Sequence, residues 1–533
     1  MRSWIYGIFI LLFYINSYGQ TYEYEVRLEP LQIQGLGGLQ SYAIGEHNGE
    51  WLIIGGRLDG LHQRQPFASF DPDGNNNELI VVNLETEEVW RKSLNDLPVN
   101  VREQFTSTNM QFYQKDDNLI LTGGYGYSPS KGDHITYPFL TIVDLPSAIE
   151  AIKSNDDVES FIQQTENELF RVAGGRLNEI EEVYYLVGGH LFMGRYNPMG
   201  PDHGPGFIQE YTNEIRRFRL EIEDEILVEE LTHFHDEMHL HRRDYNLTPY
   251  MRNGEKGLML YSGVFKNNAD LPWLYPVQIK GDSYQAIEDF TQYFNHYHCA
   301  TLPIFDASSD EMHTLFFGGI AQFYKEGNLL VQDNDVPFVN TIADISMTGE
   351  GVMHEKVLDS TMPGYLGAGS EFIFKQDVEM VEEGILSGDD INNEFLDVGF
   401  IYGGIRSSLP NIFWVNTGNE SVASNTIYKV AIRKKEVVSA EESNPKEEKV
   451  LFYPSPAQKY VTMSIVMDQP DDIDVEIFTT LGEKVHSMQI QKNKVVQGDN
   501  IFVLDNVDIG YGAFVYKVKY GDKVATRKVI WSE

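Results

Sequence analysis

WLIIGG at 51–56 decides how this chain is read: a short run of aromatic and branched apolar residues ending in two glycines. It returns as LILTGG at 119–124, YYLVGG at 184–189, LMLYSG at 258–263, TLFFGG at 314–319 and FIYGG at 400–404. Counted from 55, 123, 188, 262, 318 and 403, the intervals are 68, 65, 74, 56 and 85 residues. A unit of that length cannot bury its own apolar face, so its return implies neighbours packed side by side in one repeat domain. Around each copy apolar and polar residues alternate between turn-rich gaps, and no stretch longer than a few turns has a 3.6-residue period; the chain reads as mainly β. After the first copy, ELIVVNL at 78–84 and VWRKSLNDLP at 89–98 supply a third and a fourth strand, which predicts four strands per unit.

The apolar-Gly-Gly end of the second strand, the acceptor-rich loop after it, and Trp90 followed by Leu97 and Pro98 resemble the kelch repeat. That resemblance implies a β-propeller, and six copies imply six blades, over residues 20–433. Later units lack the Trp and exceed the usual kelch length, so insertions decorate the ring. The sixth unit supplies only GSEFIF at 369–374, FIYGG and NTIYKVAI at 425–432, while YEVRLEPL at 24–31 precedes the first. The amino-terminal strand is therefore expected to complete the last blade.

Composition limits the partners. The 533 residues hold 41 Lys and Arg against 80 Asp and Glu, a formal charge of −39, which repels nucleic acid, anionic membranes and polyanionic glycans. Cys299 is the only cysteine, so no internal disulfide is possible. Residues 1–19 read as a signal peptide: Arg2, an apolar run from Ile5 to Ile15, and small residues from Ser17 to Gly19. That run is too short to span a bilayer, and no transmembrane segment is expected later.

From 434 to 449 the chain is charged and poor in apolar residues, the composition of a linker. Residues 450–533 carry YPSPA at 453–457, VEIFTTLGEKV at 475–485, NIFVLDNVDIGYGAFVYKV at 500–518 and RKVI at 527–530. A Pro-x-Pro start, a Leu-Gly hairpin, a Leu-Asp strand, a late glycine turn and a basic last strand, in that order, resemble the type A sorting domain of the type IX secretion system of Gram-negative bacteria. Ser455 stands where that family usually has Asn. The resemblance implies a β-sandwich recognised by the type IX machinery, and a cargo secreted or held at the outer-membrane surface.

In a propeller the loops after the glycine pairs and the connections before each innermost strand open on one face. That rule gathers Arg57, Asp59 and His62, then Tyr125 and Tyr127, then His190 and Arg195, then Ile320, Gln322 and Arg406. The connections add His239, His241, Arg242, Arg243 and Asp244, and His296 and His298. The expected ligand-binding set is Arg57, Asp59, His62, His190, Arg195, His241, Arg242, Arg243, Asp244, His298 and Arg406.

His233, His235, His239 and His241 share strand parity, and neutral imidazoles ligate zinc or copper, so His239 and His241 are candidate ligands. HDEMH at 235–239 is not the zinc protease motif, because its glutamate sits one place late. Asp71, Asp73 and Asn75 alternate oxygens in a way that suits calcium, without the glycine and bidentate glutamate of an EF-hand. Cys299 reads as a small buried side chain. GxSxG and phosphate-binding glycine loops are absent.

The first expectation is thus an exported propeller that binds a glycan, peptide or small molecule on its loop face. An alternative is a carbohydrate enzyme of mutarotase, sialidase-like or oxidase-like type, for which Arg57, Arg195 and Arg406, with Arg242 or Arg243, would form a carboxylate clamp. The sialidase box Ser-x-Asp-x-Gly-x-Thr-Trp is missing, and so is a matched Tyr and Cys pair for an oxidase. A structural envelope or adhesion scaffold is the other alternative.

Overall fold

The computed structural model describes residues 22–436 and 450–531, apart from 205, 224, 327–328, 454–456, 458–459, 468, 480–481, 497, 506–508 and 522. Residues 1–19, read as a signal peptide, most of the charged stretch, and the Pro-x-Pro start with Ser455 lie outside the described residues. The chain divides after Glu436 into two compact units, and it is all-β: a propeller followed by a β-sandwich.

The first five glycine pairs directly follow the second strand of separate sheets, and the sixth lies within the strand Leu396–Ser407 of the last. The first sheet runs Ala43–His47, Glu50–Ile54, Glu78–Asn83, Glu88–Ser93. The next four run in the same sequential order, their inner pairs being Gln111–Lys115 with Asn118–Thr122, Arg176–Ile180 with Val183–Val187, Asn246–Arg252 with Glu255–Tyr261, and Ala300–Asp306 with Glu311–Phe317. Burial explains the runs: Trp51 to Ile54, Leu119 to Leu121 and Leu315 to Phe317 are all nearly inaccessible, because these second strands are covered on both faces by neighbouring sheets.

The last sheet closes across the ends of the unit. Its path is Tyr365–Phe374, Leu396–Ser407, Ile427–Glu436 and then Tyr22–Leu31, with Tyr22 opposite Glu436 and Leu31 opposite Ile427. The amino-terminal strand thus joins the last sheet as its sequence predicts, and Tyr24 and Val26 enter the core shared with the fifth sheet. Lys434 to Glu436, read from composition as the start of a linker, belong to this strand. The Lys434 ammonium pairs with buried Asp306 and donates to Gly388 O at 2.7 Å, which composition cannot show.

Two other departures matter. The stretch 89–98 is not one strand: Glu88–Ser93 ends where Ser93 Oγ accepts from Asn95 N at 3.2 Å, and the turn Leu94–Asp96 tucks Leu94 and Leu97 into the core. Also unforeseen is Met380–Glu382 with Ile385–Ser387, an insertion within the last sheet that pairs in parallel with the innermost strand of the fifth. It buries Ile385 against Tyr250 and Met251 of the fourth sheet, with Glu383 beside Tyr113 and Lys115 of the second. One segment thereby crosses the inner strands at the end opposite the glycine-pair loops.

In the second unit Val450–Tyr453, Tyr460–Met467 and Gly498–Asp505 form one sheet; Lys484–Ile490, Ile473–Thr479, Gly512–Tyr520 and Lys523–Trp531 form the other. Both contribute to one core, including Val461, Met463, Val475, Val518 and Trp531.

Candidate functional site

The glycine pairs are backbone devices with one repeated purpose. Both residues of every pair adopt positive φ, from Gly55 at 68° and Gly56 at 85° to Gly403 at 70° and Gly404 at 84°; in the fourth copy Ser262 stands in the first place at 51°. Two successive left-handed residues turn the chain so that the next residue meets the connection leading into the innermost strand. Arg57 exchanges backbone hydrogen bonds with Gln40 (2.9 and 3.0 Å), Tyr125 with Thr108 (2.8 and 3.0 Å), His190 with Ala173 (3.0 and 2.9 Å) and Val264 with Arg243 (3.0 and 2.8 Å). In the fifth copy Ile320 O accepts from His296 N and Tyr297 N, and in the sixth Ile405 lies opposite Ala368.

Five of these six positions, with Phe265 next to Val264 in the fourth copy, line one cavity of about 630 Å³ that all six sheets border. Arg57, Tyr125, His190, Ile320 and Ile405 come from the glycine-pair loops; Gln40, Ser41, Thr108, Asn109, Ala173, Arg243, Asp244, Tyr297 and His298 come from the connections. Its outer walls are aromatic and belong to three long loops. His62 lies among Phe70 (centroids 5.7 Å apart), Tyr196 (4.9 Å) and Phe413 (5.5 Å), and Phe192 stacks on Phe207 at 4.9 Å. The loops of the first and last sheets are stitched together: Asn416 Nδ2 donates to Leu61 O and His62 O, and Arg64 N donates to Asn416 O.

Charge inside is paired. Arg57 makes a two-pronged bond to Asp59 (Nε to Oδ1 2.7 Å, Nη2 to Oδ2 2.5 Å) and donates to Asn75 Oδ1 at 2.8 Å. Arg243 pairs with Asp244, and its Nε donates to Tyr211 Oη at 3.1 Å. Burial holds the His62 imidazole down at about 4, and it keeps His190 well below and His298 below the ordinary histidine range. These rings are neutral at pH 7. With its amide as placed, Gln209 donates to His190 Nδ1 at 2.7 Å, which leaves the proton on Nε2.

Of the expected ligand-binding set, Arg57, His62, His190, Arg243, Asp244 and His298 are brought together around this cavity. The others are not. Asp59 is spent on Arg57, and Arg195 donates to Ser69 O at 2.6 Å and approaches Asp71. His241 stacks on Tyr211 at 3.8 Å and contacts Asn213 Oδ1 at 2.8 Å. Arg242, completely buried, donates to His239 O, Ser262 O and Tyr275 O, so it braces the fourth turn instead of facing a ligand. Arg406 is exposed and sits opposite Val422. The five arginines therefore do not converge as a carboxylate clamp.

The metal candidates are dispersed as well. His239 Nδ1 contacts Tyr275 Oη at 3.0 Å, apart from the Asn213 partner of His241. Asp71 Oδ1 accepts from Asp73 N and Asn75 Oδ1 faces Arg57, so a guanidinium already occupies that oxygen array. Among the described residues no group of three or more His, Cys, Asp or Glu is arranged to hold a metal ion. Cys299 is buried, and burial pushes its thiol up to about 12.

Phe70, Phe192, Tyr196, Phe207, Phe413 and Trp414 escaped the sequence reading. For four of them the signal was present, as Tyr196 and Phe207 in GRYNPMGPDHGPGFIQEY at 194–211 and Phe413 and Trp414 in LPNIFWVN at 409–416, the insertions after two of the glycine pairs.

No curated protein matches the chain. Among solved structures, one titled "Structure of YjhT" is 11% identical, covering 74% of this chain and 97% of that one at a TM-score of 0.42. A sucrose-6-phosphate hydrolase from Lactobacillus gasseri is also 11% identical, covering 93% of this chain and 85% of that one at a TM-score of 0.25. Neither likeness is close enough to carry an argument about this protein. No helix among the described residues is long and apolar enough to cross a membrane. Residues 451–532 match the family model of the secretion system C-terminal sorting domain, and the second unit is accordingly a sorting domain of the type IX kind that marks its cargo for secretion and surface attachment.

Proposed function

We propose that this protein is an exported six-bladed, kelch-type propeller that binds a small ligand or the end of a larger one in the cavity on its loop face, its tail engaging the type IX machinery. One observation carries the reading: six equivalent backbone turns deliver side chains from six sheets to a single cavity of about 630 Å³, within the roughly 300–1,000 Å³ usual for small-molecule sites. Aromatic walls with a few converging polar groups are the composition of a binding site. Cys299 is buried away from the cavity lining as a thiol, and Arg57 and Arg195 are engaged with protein partners.

Tyr196 belongs to a loop and packs on His62, Phe70, Phe192 and Phe207, so Tyr196→Ala opens the wall while leaving the four-stranded sheets in place. On a glycan and peptide array the purified protein should retain a ligand that Tyr196→Ala loses while still unfolding in one cooperative transition. Binding that survives this change would place the ligand elsewhere.

A further inference from the structure

Three properties of the cavity say what kind of ligand end it takes. Its cationic charges are matched: Arg57 by Asp59 and Arg243 by Asp244, and the buried imidazoles are neutral. The remaining carboxylates of the lining, Asp270 and Asp335, are exposed to solvent. An anion would meet these carboxylates, and the charged terminus of a peptide would find both buried countercharges already taken.

The walls and floor also differ in kind. Flat rings form the walls, whereas Gln40, Asn109, Asp244 and His298 present donors and acceptors deeper in. A saturated lipid chain would bury those polar groups without partners, at a cost in affinity. A sugar ring offers C–H faces to the aromatic rings and hydroxyls that both donate and accept at its edge.

Finally, the cavity narrows sharply at its inner end. Below Ser41, Asn109, Asp244 and His298 lies a void of about 20 Å³, space for about one water. Under it Glu371 is held by Arg176 Nη1 at 3.1 Å and by His298 Nε2 at 2.9 Å. At the mouth, Trp414 lines the same cavity, is 54% exposed and stands edge-on to Phe413 at 5.0 Å.

We propose that the cavity receives, end-on, the terminal unit of an uncharged saccharide chain, with Trp414 as the platform for the unit that follows. The inference rests on the cavity being the ligand site. Its test uses the full chain after removal of the leader, with calorimetric titration of linear neutral oligosaccharides from monosaccharide to pentasaccharide, chosen from a broad glycan array, and of cyclic oligosaccharides with no free end. Linear chains should bind, with affinity rising from one unit to two and then levelling. Cyclic ones should bind at least about tenfold more weakly, and Trp414→Ala should remove about a tenfold gain from the second unit, a larger loss for the disaccharide than for the monosaccharide. Equal binding of cyclic chains, indifference to Trp414→Ala, or no neutral glycan bound at all overturns the proposal. The Tyr196→Ala control separates the two levels: a peptide or charged ligand whose binding needs Tyr196 would leave the cavity as the site and sink the saccharide inference. If no ligand depends on Tyr196, both fall.

Discussion

Gly318 leaves no room for a side chain: at φ 68° a Cβ there would lie 1.8 Å from Leu366 O of the neighbouring sheet. Gly123 is equally confined, with Val172 O at 1.9 Å. Gly132, at a similar φ of 72°, has nothing within 4 Å. Gly318→Ala should therefore destabilise the propeller by about 2 kcal/mol or more, and Gly132→Ala by only about 1 kcal/mol, in denaturant titrations. Equal costs would mean that φ alone, and not the approach of the next sheet, governs the repeat.

Histidine burial makes a second residue-scale prediction. His296 is fully buried; its Nε2 donates to Gln292 O at 3.0 Å and its Nδ1 accepts from Gln322 N at 3.0 Å, and burial lowers it from the ordinary 6.5 to about 4. Between those two values the unfolded chain binds a proton that the folded protein refuses, so stability falls as pH drops through the window. His62, His190 and His298 act in the same direction. His296→Gln should lower stability at pH 7 and reduce the slope between pH 6 and pH 5 by up to about 1.4 kcal/mol per pH unit. An unchanged slope in melts at those two pH values would show that folded His296 takes up its proton as readily as the unfolded chain does.

Among the elements, the amino-terminal strand depends most on partners far away in the chain. Tyr22–Leu31 pairs along its whole length with Ile427–Glu436, buries Tyr24 and Val26, and sends Tyr24 Oη to Asp306 at 2.8 Å. Removing residues 22–31 strips the last sheet of its outer strand and uncovers Ile432 and Leu358 of the shared core. The melting temperature should drop by on the order of 10 °C, and scanning calorimetry would show no such change if closure were immaterial. The strands were legible because period-two alternation is local; the insertion at 380–387 was not, since its burial comes from sheets remote in sequence. The helix Leu145–Ser154 was also missed, although Asp144 caps it through Ser147 N and its apolar residues enter the first core. At three turns it is too short for its period to stand out.

As a whole molecule the chain separates two tasks. The contacts divide after Glu436, and each unit has its own core. A chain ending at Glu436 should keep the melting transition of the propeller unit. In a bacterium with a type IX system, removing 451–533 should leave a folded protein that no longer reaches the surface or the medium; export undiminished by that truncation would show that the tail is dispensable.

The sequence by itself determined the repeat, the all-β character, the joining of the chain ends and the sorting tail, because each is carried by local spacing, alternation or motif order. It also placed Arg57, His62, His190, Arg243, Asp244 and His298 on one face, where they line a common cavity, since loop order in a propeller follows strand order. Only the tertiary structure decided which of those side chains are free to meet a ligand. Arg242 and Arg243 are adjacent, yet one braces a turn from inside the protein and the other lines the cavity. Partner choice of that kind depends on groups brought close by folding, as do the aromatic walls contributed by three loops and the plug under the cavity floor.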